Sequence, residues 1–102
     1  MLELRPACEN CNKPLPPQAE DAMICSFECT FCADCVQGLL HNVCPNCGGG
    51  FERRPIRPST NWRGDNDTSH FPSSAKIKHR PVDVPTHREF AAGIARIPPA
   101  KR

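Results

Sequence analysis

The stretch Cys25-Ser26-Phe27-Glu28-Cys29-Thr30-Phe31-Cys32-Ala33-Asp34-Cys35 places four thiols within eleven residues. Outward from it lie two more pairs, Cys8 and Cys11 before and Cys44 and Cys47 after, giving Cys-x2-Cys-x13-Cys-x3-Cys-x2-Cys-x2-Cys-x8-Cys-x2-Cys. A Cys-x2-Cys unit makes a tight turn that points two sulfurs at one tetrahedral ion about 2.3 Å away. Three such pairs and the 25/29 pair supply eight ligands, which fills two four-cysteine zinc sites with none left over. Fewer than 50 residues bury too little apolar surface to fold unaided. A structural zinc site contributes on the order of 10 kcal/mol of apparent folding free energy near neutral pH, so two of them account for an ordered head over residues 4–50.

Other uses of eight cysteines fit less well. A disulfide framework needs an oxidising compartment, and Met1-Leu2-Glu3-Leu4-Arg5-Pro6 offers neither the basic nor the apolar region of a secretory signal. A redox Cys-x-x-Cys sits at a strand-to-helix junction in a βαβ unit, which does not fit around these eight. Iron–sulfur clusters also use four thiolates, but the ferredoxin-type order Cys-x2-Cys-x2-Cys-x3-Cys-Pro is absent. Catalytic zinc keeps a coordination position open, and two closed sites leave none, so the expectation is a non-enzymatic protein. No apolar run approaches a membrane span, and the expected setting is cytoplasmic, without membrane contact.

The division of the ligands follows from a short helix. Val36, Leu39, Leu40 and Val43 fall at i, i+3, i+4 and i+7, one helical face. Eight helical residues rise about 12 Å and carry Cys44 and Cys47 away from a metal held by Cys32 and Cys35. The expected pairing is a cross-brace: Cys8, Cys11, Cys32 and Cys35 in site 1, and Cys25, Cys29, Cys44 and Cys47 in site 2. A sequential pairing stays open if residues 36–43 form a hairpin instead. Residues 22–27 read as one strand of a hairpin, with Met23, Ile24, Phe27 and Phe31 packing on Leu39 and Leu40. The fold class is therefore a small zinc-stabilised α+β module with a short hairpin, one short helix and a mostly irregular tail.

The cysteine pattern resembles a RING finger or treble clef, with Cys29 where most RING domains place His and Cys44-Pro45-Asn46-Cys47 like the RING ending. The blocks LRPACENCNKPLPP (4–17), AMICSFECTFCADC (22–35) and CPNCGG (44–49) resemble a bacterial family of small cysteine-rich proteins of undefined function. That resemblance implies zinc binding and a bacterial cytoplasmic setting, and it supplies no activity. RING resemblance would imply ubiquitin ligation, but ligases have an apolar residue between the first pair, where this chain has Glu9-Asn10, and a basic residue after the last Cys, where it has Gly48.

Charge divides the chain at the Gly48-Gly49-Gly50 triplet. Residues 1–50 carry a formal −4 and residues 51–102 a formal +6. Residues 51–85, beginning Phe51-Glu52-Arg53-Arg54-Pro55-Ile56-Arg57-Pro58, read as a proline-rich basic linker or arm. Residues 86–97 read as an amphipathic helix: Thr86 and Glu89 match a capping box, and Phe90, Ile94 and Ile97 form a stripe that docks on the head or on a partner. His41 reads as the end of the first helix, and His70, His79 and His87 as solvated. The expected role is a protein-interaction module or adaptor engaging a protein partner. The alternative is nucleic-acid binding through the basic tail, with Trp62, Phe71 and Phe90 as stacking residues.

Overall fold

The residues flanking the Cys25–Cys29 turn are β-formers on both sides, and they pair. A computed structural model describes residues 1–102. Strands β1 (Ala22–Ile24) and β2 (Thr30–Cys32) form an antiparallel hairpin in the register Ala22↔Cys32, Met23↔Phe31, Ile24↔Thr30. The Cys25 N–H donates to the Cys29 carbonyl at 3.1 Å and the Glu28 N–H to the Cys25 carbonyl at 3.0 Å. Glu28 turns the corner at φ 67°. The core position expected for Phe27 does not hold: the tight turn aims it into solvent, while Phe31, on the strand, is buried.

A third strand, β3 (Glu52–Arg53), pairs antiparallel with the other edge of β1 and gives the order β2-β1-β3. The ordered unit therefore runs past residue 50, where the sequence reading ends it. Phe51 meets Phe31 edge-to-face, with ring centroids 5.5 Å apart and planes at 79°. Arg54 is buried, its Nη1 donating to the Arg5 carbonyl at 2.9 Å and its Nη2 to the Leu15 and Pro16 carbonyls at 3.0 and 2.8 Å. The planar guanidinium presents several donors at fixed angles, which suits it to tie three carbonyls of the amino-terminal loop to the sheet.

Strand β2 runs directly into a helix. One α-helical turn, α1 (Ala33–Cys35), continues as a π-helical segment, Val36–Leu40. The wider turn lets the His41 N–H reach the Val36 carbonyl, and the helix stops where His41 and Asn42 adopt φ 52° and 56°. Val36 and Leu40 are buried and Leu39 is partly buried against the core. Val43 is also fully buried, but from the turn after the helix rather than from its next coil.

The core cluster contains twelve buried residues, and six of them are cysteines: Cys8, Cys25, Cys29, Cys32, Cys35 and Cys44. Apolar burial at about 25 cal/mol per Å² thus acts through few aliphatic side chains. What happens at the sulfurs decides whether this interior persists.

Residues between β3 and the last helix form no regular element but lie along the head through specific bonds. The Ser74 N–H reaches the Leu4 carbonyl at 2.9 Å and the Arg80 N–H the Glu9 carbonyl at 2.7 Å. The Val82 N–H reaches Asn10 Oδ1 at 2.8 Å. Helix α2 then spans Val84–Ala91 rather than 86–97. The expected capping box is absent: Asp83 takes the N-cap position, and the Thr86 hydroxyl bonds the Asp83 carboxylate instead. Pro85, whose fixed φ suits a first turn, allows the earlier start.

His87, expected in solvent, is buried with Nε2 3.0 Å from the Leu40 carbonyl. It is a second partner for that carbonyl, which also accepts from the Val43 N–H at 3.0 Å, and it ties the last turns of chain to the end of the π-helical segment. Ala91 is buried beside it in the chain, one helical turn on. Phe90 and Ile94 close over Gly48: a Cβ there would lie 3.6 Å from each, at φ +77°, a conformation that favours glycine. Phe90 at 45% and Ile97 at 39% both stay partly in solvent. No helix is long and apolar enough to cross a membrane.

Candidate metal centre

The first Cys-x2-Cys turn is closed by Asn12 N–H to the Cys8 carbonyl and Cys8 N–H to the Lys13 carbonyl, both 2.9 Å, with Asn12 at φ 63°. The last is built the same way. Gly48 N–H reaches the Cys44 carbonyl and Cys44 N–H the Gly49 carbonyl, both 2.8 Å, with Gly48 at φ 77°. In each, the residue after the second cysteine is one that tolerates the left-handed region at low cost.

Glu9 carries the first turn to β2. It is buried, and its Oε2 accepts from Thr30 N–H at 2.6 Å and Arg5 Nη1 at 2.9 Å, while its own N–H bonds the Thr30 carbonyl at 3.0 Å. Burial works against the Arg5 charge, but the hydrogen bonds to Glu9 and Glu3 raise its pKa. A buried ion pair of this kind is costly to break from one side, so it fixes where Cys8 and Cys11 sit.

As a result Cys8, Cys11, Cys32 and Cys35 gather with all four sulfurs within 4.8 Å of one another. The Cys8–Cys35 and Cys11–Cys32 sulfur separations are both 3.8 Å. A tetrahedron of sulfurs about 2.3 Å from its centre has edges of about 3.8 Å. A disulfide would need about 2.05 Å, and all eight cysteines are free.

Cys25, Cys44 and Cys47 form a second group, their sulfurs also within 4.8 Å of one another. Cys29 lies outside that mutual set. It is nevertheless buried beside it: Asn46 Nδ2, from between Cys44 and Cys47, donates to Cys29 Sγ at 3.3 Å. The clusters of four and three cysteines can each hold a metal ion.

Ionising these thiols without a cation is costly. Burial pushes the Cys35 thiol far above the ordinary range, and the nearby Cys32 and Cys8 sulfurs add to the rise against Asn10, which lowers it. Burial likewise raises Cys44, with the charges of Cys29 and Cys25 adding to it. Burial also raises Cys32. Cys11 moves the other way: burial opposes ionisation, but the Lys13 backbone and the neighbouring sulfurs outweigh it. Several thiolates at such separations repel strongly in a low-dielectric interior, and a divalent cation at their centre removes that obstacle.

The sequence reading missed the asparagines that support these sulfurs. Asn10 Nδ2, from between Cys8 and Cys11, donates to Cys35 Sγ at 3.2 Å. Asn46 does the same from the last pair to Cys29. Each links one Cys-x2-Cys turn to a sulfur of another segment. The signal was present as the same Asn-Cys step in Cys8-Glu9-Asn10-Cys11 and Cys44-Pro45-Asn46-Cys47. Backbone N–H groups of Cys11, Phe27 and Gly49 point at Cys8, Cys25 and Cys47 sulfurs at 3.5, 3.3 and 3.4 Å. Such outer donors orient ligands and temper thiolate charge.

Residues 1–57 match the family model described as "Protein of unknown function (DUF1272)". The chain is also similar to "Uncharacterized protein R02474" of Rhizobium meliloti (strain 1021), at 60% identity over 60 residues, covering 59% of this chain and 71% of that protein. No solved structure matches. The cysteine-rich head that builds both clusters falls inside the matched region, and the chain belongs to the DUF1272 family, small cysteine-rich proteins of undefined function.

Proposed function

We propose that the two clusters hold one structural zinc ion each, and that the chain is a non-enzymatic adaptor that presents a zinc-ordered surface to a protein partner. Cys8, Cys11, Cys32 and Cys35 hold the first ion. Cys25, Cys44 and Cys47, completed by Cys29, hold the second, in a cross-braced module that resembles a RING finger.

The observation that carries this reading is the first tetrad, whose two sulfur separations of 3.8 Å match the edge of a zinc–thiolate tetrahedron. Four sulfurs on an ion leave no position for substrate or water, so the metal orders the chain rather than reacting. A fold held in this way offers surface chemistry to partners, and its long irregular second half, bonded along the head, multiplies that surface.

Native mass spectrometry and elemental analysis of the full chain, purified under reducing conditions, test the assignment. Two zinc ions per chain are expected. Iron, or a folded chain without metal, overturns it.

A further inference from the structure

The second half contains a surface that the metal reading does not use. Ile56, Arg57 and Pro58 form a ridge between two clefts. The first, of ≈ 340 Å³, is walled by Leu2, Leu4, Pro55, Asn66 and Phe71. The second, of ≈ 490 Å³, is walled by Pro17, Ser59, Thr60, Trp62 and Thr68. No carboxylate lines either, and Arg57 is the one charged side chain common to both.

That positive charge is uncompensated. Arg57 Nη1 and Nη2 donate to the Phe71 and Leu2 carbonyls at 2.7 and 2.9 Å, which fixes the guanidinium but neutralises nothing. Neither Arg57 nor Arg54 is paired with a carboxylate. Burial first, and then the Arg57 charge, holds Arg54 below the usual arginine value, so the two cations feel each other. The remaining N–H groups of Arg57 have no protein acceptor.

Beside the ridge, Trp62 stands 80% exposed on a turn that is tied down at several points. Asn61 Nδ2 donates to Asp65 Oδ1 at 2.7 Å, and the Asp65 N–H returns to Asn61 Oδ1 at 3.1 Å. Asn66 Nδ2 reaches the Arg63 carbonyl at 2.9 Å, and the Thr68 N–H the Pro58 carbonyl at 2.9 Å. Below it, the buried Asp67 carboxylate takes the Ser69 and His70 N–H groups at 2.8 and 3.1 Å. A backbone turn fixed in this way needs little further ordering on binding, and Trp and Arg dominate interface hot spots.

We propose that the two clefts receive an acidic peptide segment of a partner protein. An apolar side chain enters between Leu4 and Phe71, a carboxylate meets Arg57, and Trp62 covers the segment from the other side. The mode is that of a short peptide in a preformed groove with one charged contact. A nucleic-acid strand fits less well: its phosphates would have to run past Asp65, whose side chain is 64% exposed on the same turn, whereas a peptide needs a single carboxylate at Arg57. This assignment rests on the adaptor reading and names the partner's chemistry.

The test pans a displayed random dodecapeptide library against the zinc-loaded full chain. Selected peptides are then measured on wild type, Trp62→Ala and Ile56→Asp, both exposed positions, each variant confirmed to keep its metal. Affinities on all three proteins are read from the anisotropy of dye-labelled peptide; because Trp62 is the sole tryptophan and the chain has no tyrosine, binding to the wild type and to Ile56→Asp also reads as a shift in intrinsic emission. Selected peptides should carry Asp or Glu next to Leu or Phe, shift that emission, and lose about tenfold or more in affinity on either variant. No enrichment, enrichment in basic residues, or equal binding to all three proteins overturns the site. So does tighter binding of a labelled twelve-nucleotide oligothymidylate than of any selected peptide. Equal binding to all three would leave the adaptor reading standing, while that reading fails separately, at the metal analysis.

Discussion

Lowering free zinc should unfold the head along a line whose slope counts the ions. An ion that binds only the folded state stabilises it by RT ln(1 + [L]/Kd), so each tenfold drop in free zinc well above Kd removes about 1.4 kcal/mol per ion. Two clusters, with half of the twelve-residue core being cysteine, leave no metal-free interior to fall back on. With one zinc in each cluster, as proposed, both ions couple to the same transition, and the slope is about 2.8 kcal/mol per decade. For a domain of this size about 4–8 °C accompanies each kcal/mol, which gives a midpoint shift of roughly 11–22 °C per decade. Thermal melts followed by NMR amide dispersion, in chelator-buffered zinc with a thiol reductant, measure it. Cys35→Ser, which breaks the first tetrad, should bind one ion or fewer and show at most half the slope. A midpoint indifferent to free zinc in the wild-type chain would refute the reasoning, because the interior would then be holding itself.

Acid should act on the same equilibrium. Unfolded thiols titrate near pH 8.5, so below that value each site must release up to four protons to bind its ion, and apparent affinity falls by up to about four powers of ten per pH unit. Titration with a chromogenic chelator at two pH values reads this. Arg54→Met leaves the Arg5 and Leu15 carbonyls without a donor, while the Pro16 carbonyl keeps the Ala19 N–H. Since an orphaned buried acceptor costs roughly 1–3 kcal/mol, a loss of about 3 kcal/mol is expected in chemical denaturation at fixed free zinc. His87→Ala removes the contact to the Leu40 carbonyl and should loosen α2 alone. Amide exchange across residues 84–91 should quicken by about ten- to a hundredfold, with the metal content unchanged.

The cysteine spacing was enough to read a head built on ligand turns, a hairpin and a short helix, because metal geometry is local and its spacing shows in the chain. What was not legible depended on long-range satisfaction of polar groups. Arg54 looks like one more charge in a basic run, and only the three carbonyls of a distant loop make it structural. His87 looks solvated until the Leu40 carbonyl at the end of the π-helical segment meets its ring. Phe27 has the composition of a core residue, but the tight Cys25–Cys29 turn decides where it points. The capping box at Thr86 failed because a proline one residue earlier already suits a first helical turn. Sequence periodicity says which faces are apolar; it does not say which buried donor will find which buried acceptor.

Each cysteine cluster has one exposed residue, Cys11 in the first and Cys47 in the second, while its partners are buried. Electrophiles, peroxide and competing soft cations therefore meet the protein first at the thiols of these two residues. Thiolate sulfur oxidises stepwise, and the later steps do not reverse. Damage at either thiol strikes a group around which the interior is assembled, so a single chemical lesion at the surface becomes a loss of the whole fold. Ageing of this molecule in air should be abrupt, one chain at a time, rather than a gradual softening.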